Sequence, residues 1–207
     1  MSRAGGLMVC LACLLWLAAP VSAADVAAGV RERLEQPTVL RGRFEQEKQV
    51  QGFKNPLRSS GDFLLLREHG IAWDTTAPFA SNAVLTRQRM ATRLPDGSEQ
   101  VLIDAAEGPA ASATASLLMA LVAGDLDVLA ERFDIRETLH GSAAWELHLV
   151  PKEAALQRVF SGLRLAGDRH VREVLIEEAG GDRTRVRLLD LASDPPAPSD
   201  AEVARFD

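Results

Sequence analysis

The sequence has very little cysteine. Its 207 residues include two, Cys10 and Cys13, and both lie within the first 23 positions. If that leading segment is removed, no cysteine is left in the chain. The sequence then excludes disulfide bonds, thiol catalysis and cysteine-ligated metals together.

Histidine is almost as scarce, and no arrangement of residues indicates catalysis. The four imidazoles belong to His69, His140, His148 and His170, and none follows a zinc-binding spacing. Ser59-Ser60-Gly61 lacks the Gly-x-Ser-x-Gly pattern of a hydrolase. We therefore expect no enzyme, no metal and no cofactor, and a hydrolase is the least favoured alternative.

Residues 1–23 are predicted to be a secretory signal peptide. Arg3 is followed by an uncharged apolar stretch over 7–19, and the small residues Val21 and Ala23 form a cleavage motif. The stretch is short for a membrane anchor. Lipidation at Cys13 is disfavoured because the apolar stretch continues past it. We expect a secreted protein.

The chain left after cleavage is acidic and of single-domain size. It retains 22 of the 23 basic residues and all 29 acidic ones, so its net charge is 22 − 29 = −7. This charge argues against binding to nucleic acid or to an anionic membrane surface. We predict one domain over 24–190 and a proline-rich tail over 191–207.

The hydropathy pattern predicts a mostly β protein with a helical insert. A helix is expected over 25–36, and short strands joined by turns follow it, including a hairpin of 61–67 with 70–76. After the insert, 183–188 alternates arginines with Thr184, Val186 and Leu188, so one face of that strand is dry. Such strands predict one large antiparallel sheet, curled into a barrel or half-barrel.

The insert is apolar on all sides. Residues 113–123 read ATASLLMALVA, without a charge, and a second, amphipathic helix is expected over 124–133. A helix that is apolar all round is buried, and here it has to lie against the inner face of the sheet. The strand at 61–67 is apolar on both sides, so we expect a helix on its outer face and the insert or a ligand on its inner face. An ordinary packed core is the alternative.

Three stretches resemble the LolA family of periplasmic outer-membrane lipoprotein carriers, in particular a divergent branch of it. They are GRFEQEKQV (42–50), LRSSGDFLLLREHGIAWDTTAP (57–78) and SLLMALVAGDLDVLAERFDI (116–135), which leads to WELHLVPK (145–152). The resemblance extends over about 25–178. It implies an incomplete antiparallel barrel of about eleven strands, with helices as a lid over a hydrophobic cavity.

The resemblance also implies which residues serve the cavity. Arg67 falls where the family has an arginine that hydrogen-bonds the lid backbone and latches the empty cavity. The expected lid residues are Leu117, Leu118, Leu121 and Val122. The expected wall residues are Phe44, Phe63, Leu65, Trp73, Met90, Trp145 and Leu147.

By the same resemblance, the expected function is that of a periplasmic carrier. It would shelter the acyl chains of lipoproteins or of related lipids and ferry them toward the outer membrane. An inner-membrane donor complex and an outer-membrane acceptor are the implied partners, and we expect a monomer. A periplasmic lipid sensor or scaffold without transport is the alternative.

Overall fold

A computed structural model describes residues 26–93 and 98–206 of the chain. The predicted signal peptide and both cysteines lie outside the described residues. Within the described ranges, no helix combines the length and the apolar character that crossing a bilayer requires.

The described residues form eleven strands and five short or medium helices. The strands are β1 Val39–Gln49, β2 Leu57–Leu66, β3 Gly70–Ala77, β4 Ser81–Thr86, β5 Arg89–Arg93, β6 Glu99–Asp104, β7 Phe133–His140, β8 Ala144–Pro151, β9 Phe160–Gly167, β10 Val171–Glu178 and β11 Arg183–Ala192. The helices are α1 Ala28–Arg33, α2 Pro109–Ala123, α3 Leu126–Arg132, α4 Ala154–Gln157 and α5 Asp200–Val203. Single 3-10 turns cover Ala105–Glu107 and Ala204–Phe206.

All eleven strands belong to one antiparallel sheet that is not closed into a barrel. Its order is β6-β5-β4-β3-β2-β1-β11-β10-β9-β8-β7, so β1 pairs with β11 and the two edge strands are β6 and β7. These edge strands are consecutive in the chain, and α2 and α3 form the connection between them. The predicted incomplete antiparallel barrel with a helical insert is confirmed.

The main core lies between α2 and one face of the sheet, which we call the inner face. Alternation in β1 directs Leu40 and Phe44 to this face, and Phe63 and Leu65 of β2 lie beside them. The far half of the sheet contributes Trp145, Leu147, Leu149, Leu163, Leu165, Val174 and Leu188 to the same cluster.

The outer face carries a second, smaller apolar cluster. Val39, Leu64, Leu66 and Ala72 are buried there, and Val203 and Phe206 pack against them. Residues 193–206, which we call the C-terminal strap, therefore cover the outer side of the strand that is apolar on both faces. The helix expected on that side comes from the end of the chain.

Polar contacts hold the C-terminal strap on the sheet. The Arg41 guanidinium donates two hydrogen bonds to the Glu202 carboxylate, from Nε at 2.6 Å and Nη2 at 2.9 Å. Arg205 donates to Asp74 of β3. Ser199 and Glu202 form a capping box at the start of α5, which orders the short helix from within.

Two predicted boundaries differ from the structure. The helix expected over 25–36 is limited to Ala28–Arg33, because the Leu34 side chain packs against Gly124 and the Glu35 N–H donates to the Arg169 carbonyl at 2.7 Å. Strand β11 runs to Ala192, past the predicted domain end at 190. Tertiary contacts that the local sequence does not encode set the helix end.

The Arg41–Glu202 pair predicts that stability depends on pH in one direction. The hydrogen bonds from Arg41, helped by the Ser199 N–H, lower the pKa of Glu202 from 4.5 to about 2. A carboxylate with a lowered pKa in the folded state stabilises it above about pH 4.5 and loses that contribution as the pH falls toward 2. The free energy of unfolding of Glu202→Gln should therefore lie below that of the wild type near neutral pH, with a gap that narrows through this window.

Urea denaturation followed by circular dichroism at several pH values measures this gap. Glu131→Gln, which removes an exposed carboxylate on α3, is the matched control and should show a small gap throughout. A Glu202→Gln gap that stays constant down to pH 2 would contradict the role of the ion pair.

Candidate functional site: the apolar cavity beneath helix α2

A cavity of about 220 Å³ lies between α2 and the inner face of the sheet. Twelve of its fourteen lining residues are apolar, and Gln46 and Thr184 are the other two. The apolar ones are Ile71, Trp73, Ala83, Leu85, Met90, Leu118, Leu121, Val122, Val174, Ile176, Val186 and Leu188. The cavity can therefore accept hydrocarbon and offers few polar groups to orient a polar ligand.

Helix α2 forms one wall of the cavity with residues at helical spacing. Leu118, Leu121 and Val122 occupy positions i, i+3 and i+4, which lie on one face of a helix. Ser116, Met119, Ala120 and Ala123 face a different cavity, on another side of the helix. Helix α2 therefore borders a cavity on each of two sides.

The sheet forms the opposite wall of the cavity. Both halves of the sheet contribute to this wall, and the pairing of β1 with β11 joins the two halves. Trp73 and Ile71 come from β3, and Val186 and Leu188 come from β11. The Phe44 ring stacks on the Trp73 ring with centroids 4.0 Å apart, and the Phe63 ring lies 5.9 Å from it. These two phenylalanines fix the position of the largest side chain in the wall.

Five of the residues predicted to serve the cavity line it, and the others lie in the packed core. Trp73, Met90, Leu118, Leu121 and Val122 are lining residues. The buried core beside the cavity contains Leu117, Phe44, Phe63, Leu65, Trp145 and Leu147. Alternation identifies the face that a strand residue occupies, but it does not tell whether a helix or an open space lies opposite.

The prediction missed the wall that β10 and β11 contribute. Val174, Ile176, Val186 and Leu188 line the cavity together with Thr184. The alternation of Thr184, Val186 and Leu188 with arginines marked this dry face in the sequence. What the sequence did not show is that β11 pairs with β1 and so comes to lie close to Trp73.

Arg67 lies beside α2, in a cavity of about 330 Å³ that is separate from the apolar one. Its Nε donates to the Pro37 carbonyl at 3.3 Å, just before β1. Its Nη2 is buried and has no hydrogen-bond partner among the described residues. Burial lowers the pKa of this guanidinium, and the Asp125 carboxylate acts in the opposite direction. That Arg67 latches the lid stays a prediction.

Glycines flank α2 at both ends. Gly108 has φ 136° and Gly124 has φ 66°, and both values lie in the region that favours glycine. Gly124 ends α2, and Asp125 then caps α3 by accepting a hydrogen bond from the Val128 N–H at 3.3 Å. Helix α2 thus has conformationally permissive residues at its two ends.

The described part of the chain holds no group of three histidine, aspartate or glutamate residues placed to bind a metal ion. His170 is the one buried histidine of this part, with 4% of its surface exposed. Its Nε2 lies 3.9 Å from a Glu35 carboxylate oxygen, and burial lowers its pKa. It does not line the apolar cavity.

Comparison with known proteins gives one family and several distant structures. The family model described as "Outer membrane lipoprotein carrier protein LolA" matches residues 35–201. A DUF1329 family protein from Desulfovibrio piger is 13% identical, with a TM-score of 0.53, over 89% of this chain and 98% of that one. This likeness shows the fold. No curated protein matches the chain.

Two further structures are similar at lower scores. A LolA superfamily protein, NE2245 from Nitrosomonas europaea, is 10% identical with a TM-score of 0.46, over 88% of this chain and 97% of that one. A chain of the Pseudomonas aeruginosa MucA/MucB complex is 17% identical with a TM-score of 0.44, over 80% of this chain and 54% of that one.

The geometry predicts that a charge on the inner side of α2 abolishes binding of apolar ligands. Leu118→Glu places a carboxylate in the cavity, where burying it is costly. We expect the affinity for an environment-sensitive fluorescent fatty acid to fall at least about tenfold, which corresponds to about 1.4 kcal/mol. Thr114→Glu adds the same charge at an exposed position of the same helix and should bind like the wild type.

Circular dichroism must show that the sheet of both variants is folded. Equal affinity of Leu118→Glu and Thr114→Glu would contradict the assignment of the cavity as the binding site.

Proposed function

Because the chain belongs to the LolA family of outer membrane lipoprotein carrier proteins, we propose that it shelters acyl chains in the cavity beneath α2. In this proposal the protein is periplasmic, is not an enzyme, and carries lipoproteins or related acylated lipids toward the outer membrane. The observation that supports it is the apolar cavity under a helix that joins the two free edges of the sheet.

The energetics of acyl chains favour such a carrier. Exposing one CH₂ to water costs about 0.8 kcal/mol, so a chain of about sixteen carbons needs shelter of the order of 10 kcal/mol. An apolar wall supplies this shelter without any covalent step. The proposal therefore needs no nucleophile, metal or cofactor.

The size of the cavity supports a movable lid. Sites that enclose drug-sized ligands measure about 300 to 1,000 Å³, whereas this cavity measures about 220 Å³. A long acyl chain needs Leu118, Leu121 and Val122 to move away from the sheet. Because these side chains lose their own burial when cargo enters, the binding affinity stays moderate and the cargo can be released.

Transport has two proposed partners that the cavity alone does not define. An inner-membrane complex would load the carrier, and an outer-membrane acceptor would unload it. The loaded and empty states differ in the position of α2, so each partner would act by favouring one of them.

Mass spectrometry of bound lipid tests the proposed function. The protein, purified from the periplasm of its own cells, is extracted with organic solvent and the extract is analysed for acylated species. We expect about one acylated molecule per wild-type or Thr114→Glu chain and much less for Leu118→Glu. Wild-type protein that holds no acylated species and takes none up from vesicles would overturn the proposal.

The proposed latch predicts a defect in release. If Arg67 stabilises the closed, empty position of α2, Arg67→Leu disfavours that position relative to the loaded one. Binding of a fluorescent fatty acid should stay intact while its transfer to acceptor vesicles slows several-fold. Arg58→Leu, on the outer face with 74% of its side chain exposed, is the control. Transfer rates equal to those of the wild type would exclude the latch.

A further inference from the structure

The cavity that contains Arg67 has its own chemistry. It measures about 330 Å³ and lies on the side of α2 that faces away from the apolar cavity, with which it shares no lining residue. Its wall combines two arginines, a hydroxyl, a carboxylate and four apolar residues. They are Arg67, Arg87, Ser116, Met119, Ala120, Ala123, Asp125 and Val128.

The charges of this wall do not cancel. The lining residues include two guanidinium groups and one carboxylate, so they carry a charge of +1 in a chain whose net charge is −6. The Glu68 carboxylate, outside the wall, also acts on Arg67. The Asp125 carboxylate already accepts a hydrogen bond from the Val128 N–H as the cap of α3. Among the described residues, neither Arg67 nor Arg87 forms an ion pair with Asp125 within 4.0 Å. Arginines on the outer face, such as Arg43 and Arg185, do form ion pairs with neighbouring carboxylates.

Arg67 has a hydrogen-bond donor group that no described residue satisfies. Its Nε donates to the Pro37 carbonyl, while its buried Nη2 has no partner in the described part of the chain. A buried donor without a hydrogen-bond partner is costly, and an anion in hydrogen-bond contact removes that cost. The fork of donors on a guanidinium matches the oxygens of a phosphate or carboxylate.

We propose that this cavity binds a phosphate group, held by the guanidinium groups of Arg67 and Arg87 and by the Ser116 hydroxyl. A phosphate offers three or four oxygens to these donors, whereas a carboxylate offers two. The single negative charge of a phosphodiester balances the charge of +1 that the lining residues carry. Met119, Ala120, Ala123 and Val128 form the apolar part of the wall.

The phosphate has two possible sources with the same chemistry. One is the phosphodiester head group of a phospholipid, and the other is free phosphate or a soluble phosphate ester. In both cases the bound group would connect the end of β2 and the β4–β5 turn with Ser116 of α2. Binding of a phosphate probe is measured with no acyl chain present. Its success or failure is therefore independent of the proposed acyl-chain binding.

Isothermal titration calorimetry of the full chain tests the site with three probes. The probes are inorganic phosphate, sn-glycerol 3-phosphate and glycerophosphoglycerol, the last being a phosphodiester head group without acyl chains. We expect saturable binding of at least one. Tighter binding of glycerophosphoglycerol assigns the site to a lipid head group, and tighter binding of the other two assigns it to a soluble phosphate.

Three variants connect the binding to these residues. Arg87→Gln and Arg67→Gln should each weaken binding about tenfold, since each variant removes charge-assisted hydrogen bonds to the phosphate. Arg58→Gln, exposed on the outer face, should bind as the wild type does. Because Arg87 is exposed, its variant is expected to fold even if the Arg67 variant does not.

Two results would overturn the proposal. One is the absence of saturable binding of all three probes to the wild type. The other is an equal affinity of the wild type and Arg87→Gln, which would place the bound phosphate elsewhere.

Discussion

The structure depends on the burial of a helix that carries no charge. Helix α2 extends over Pro109–Ala123 without one ionisable side chain, so it is stable only when both the sheet and neighbouring elements cover it. The sheet has the complementary need, because its inner face is apolar and its edges β6 and β7 do not pair. The connection between those two edges crosses the opening, and α2, the uncharged helix within it, lies over the inner face.

Patterns with a local cause were predictable from the sequence. The β2–β3 hairpin, the apolar insert and the dry face of β11 all appear in the structure. Lining residues such as Trp73 and Leu118 were expected from the resemblance to the LolA family. The distinction between Trp73, in the cavity wall, and Phe44, stacked behind it, was not predictable, because both lie on the inner face and only the position of α2 decides which one borders open space.

The outer face shows where local patterns fail. The proline-rich tail has no periodicity that indicates burial, yet Val203 and Phe206 cover Leu64 and Leu66. The contacts that hold it join residues 161 positions apart in Arg41–Glu202 and 131 apart in Arg205–Asp74. Contacts at such sequence separation depend on the completed sheet. The strand that is apolar on both faces raised the right question, and its answer came from the other end of the chain.

Helix α2 borders both cavities. Leu118 and Leu121 border the apolar cavity, and Ser116 and Ala120 border the arginine-lined one. A helix moves as a unit, so any displacement that enlarges the apolar cavity also changes the distance from Ser116 to Arg67 and Arg87. A ligand that bridges those groups would then favour one position of α2, and an acyl chain that displaces α2 would change the affinity for that ligand by the same factor.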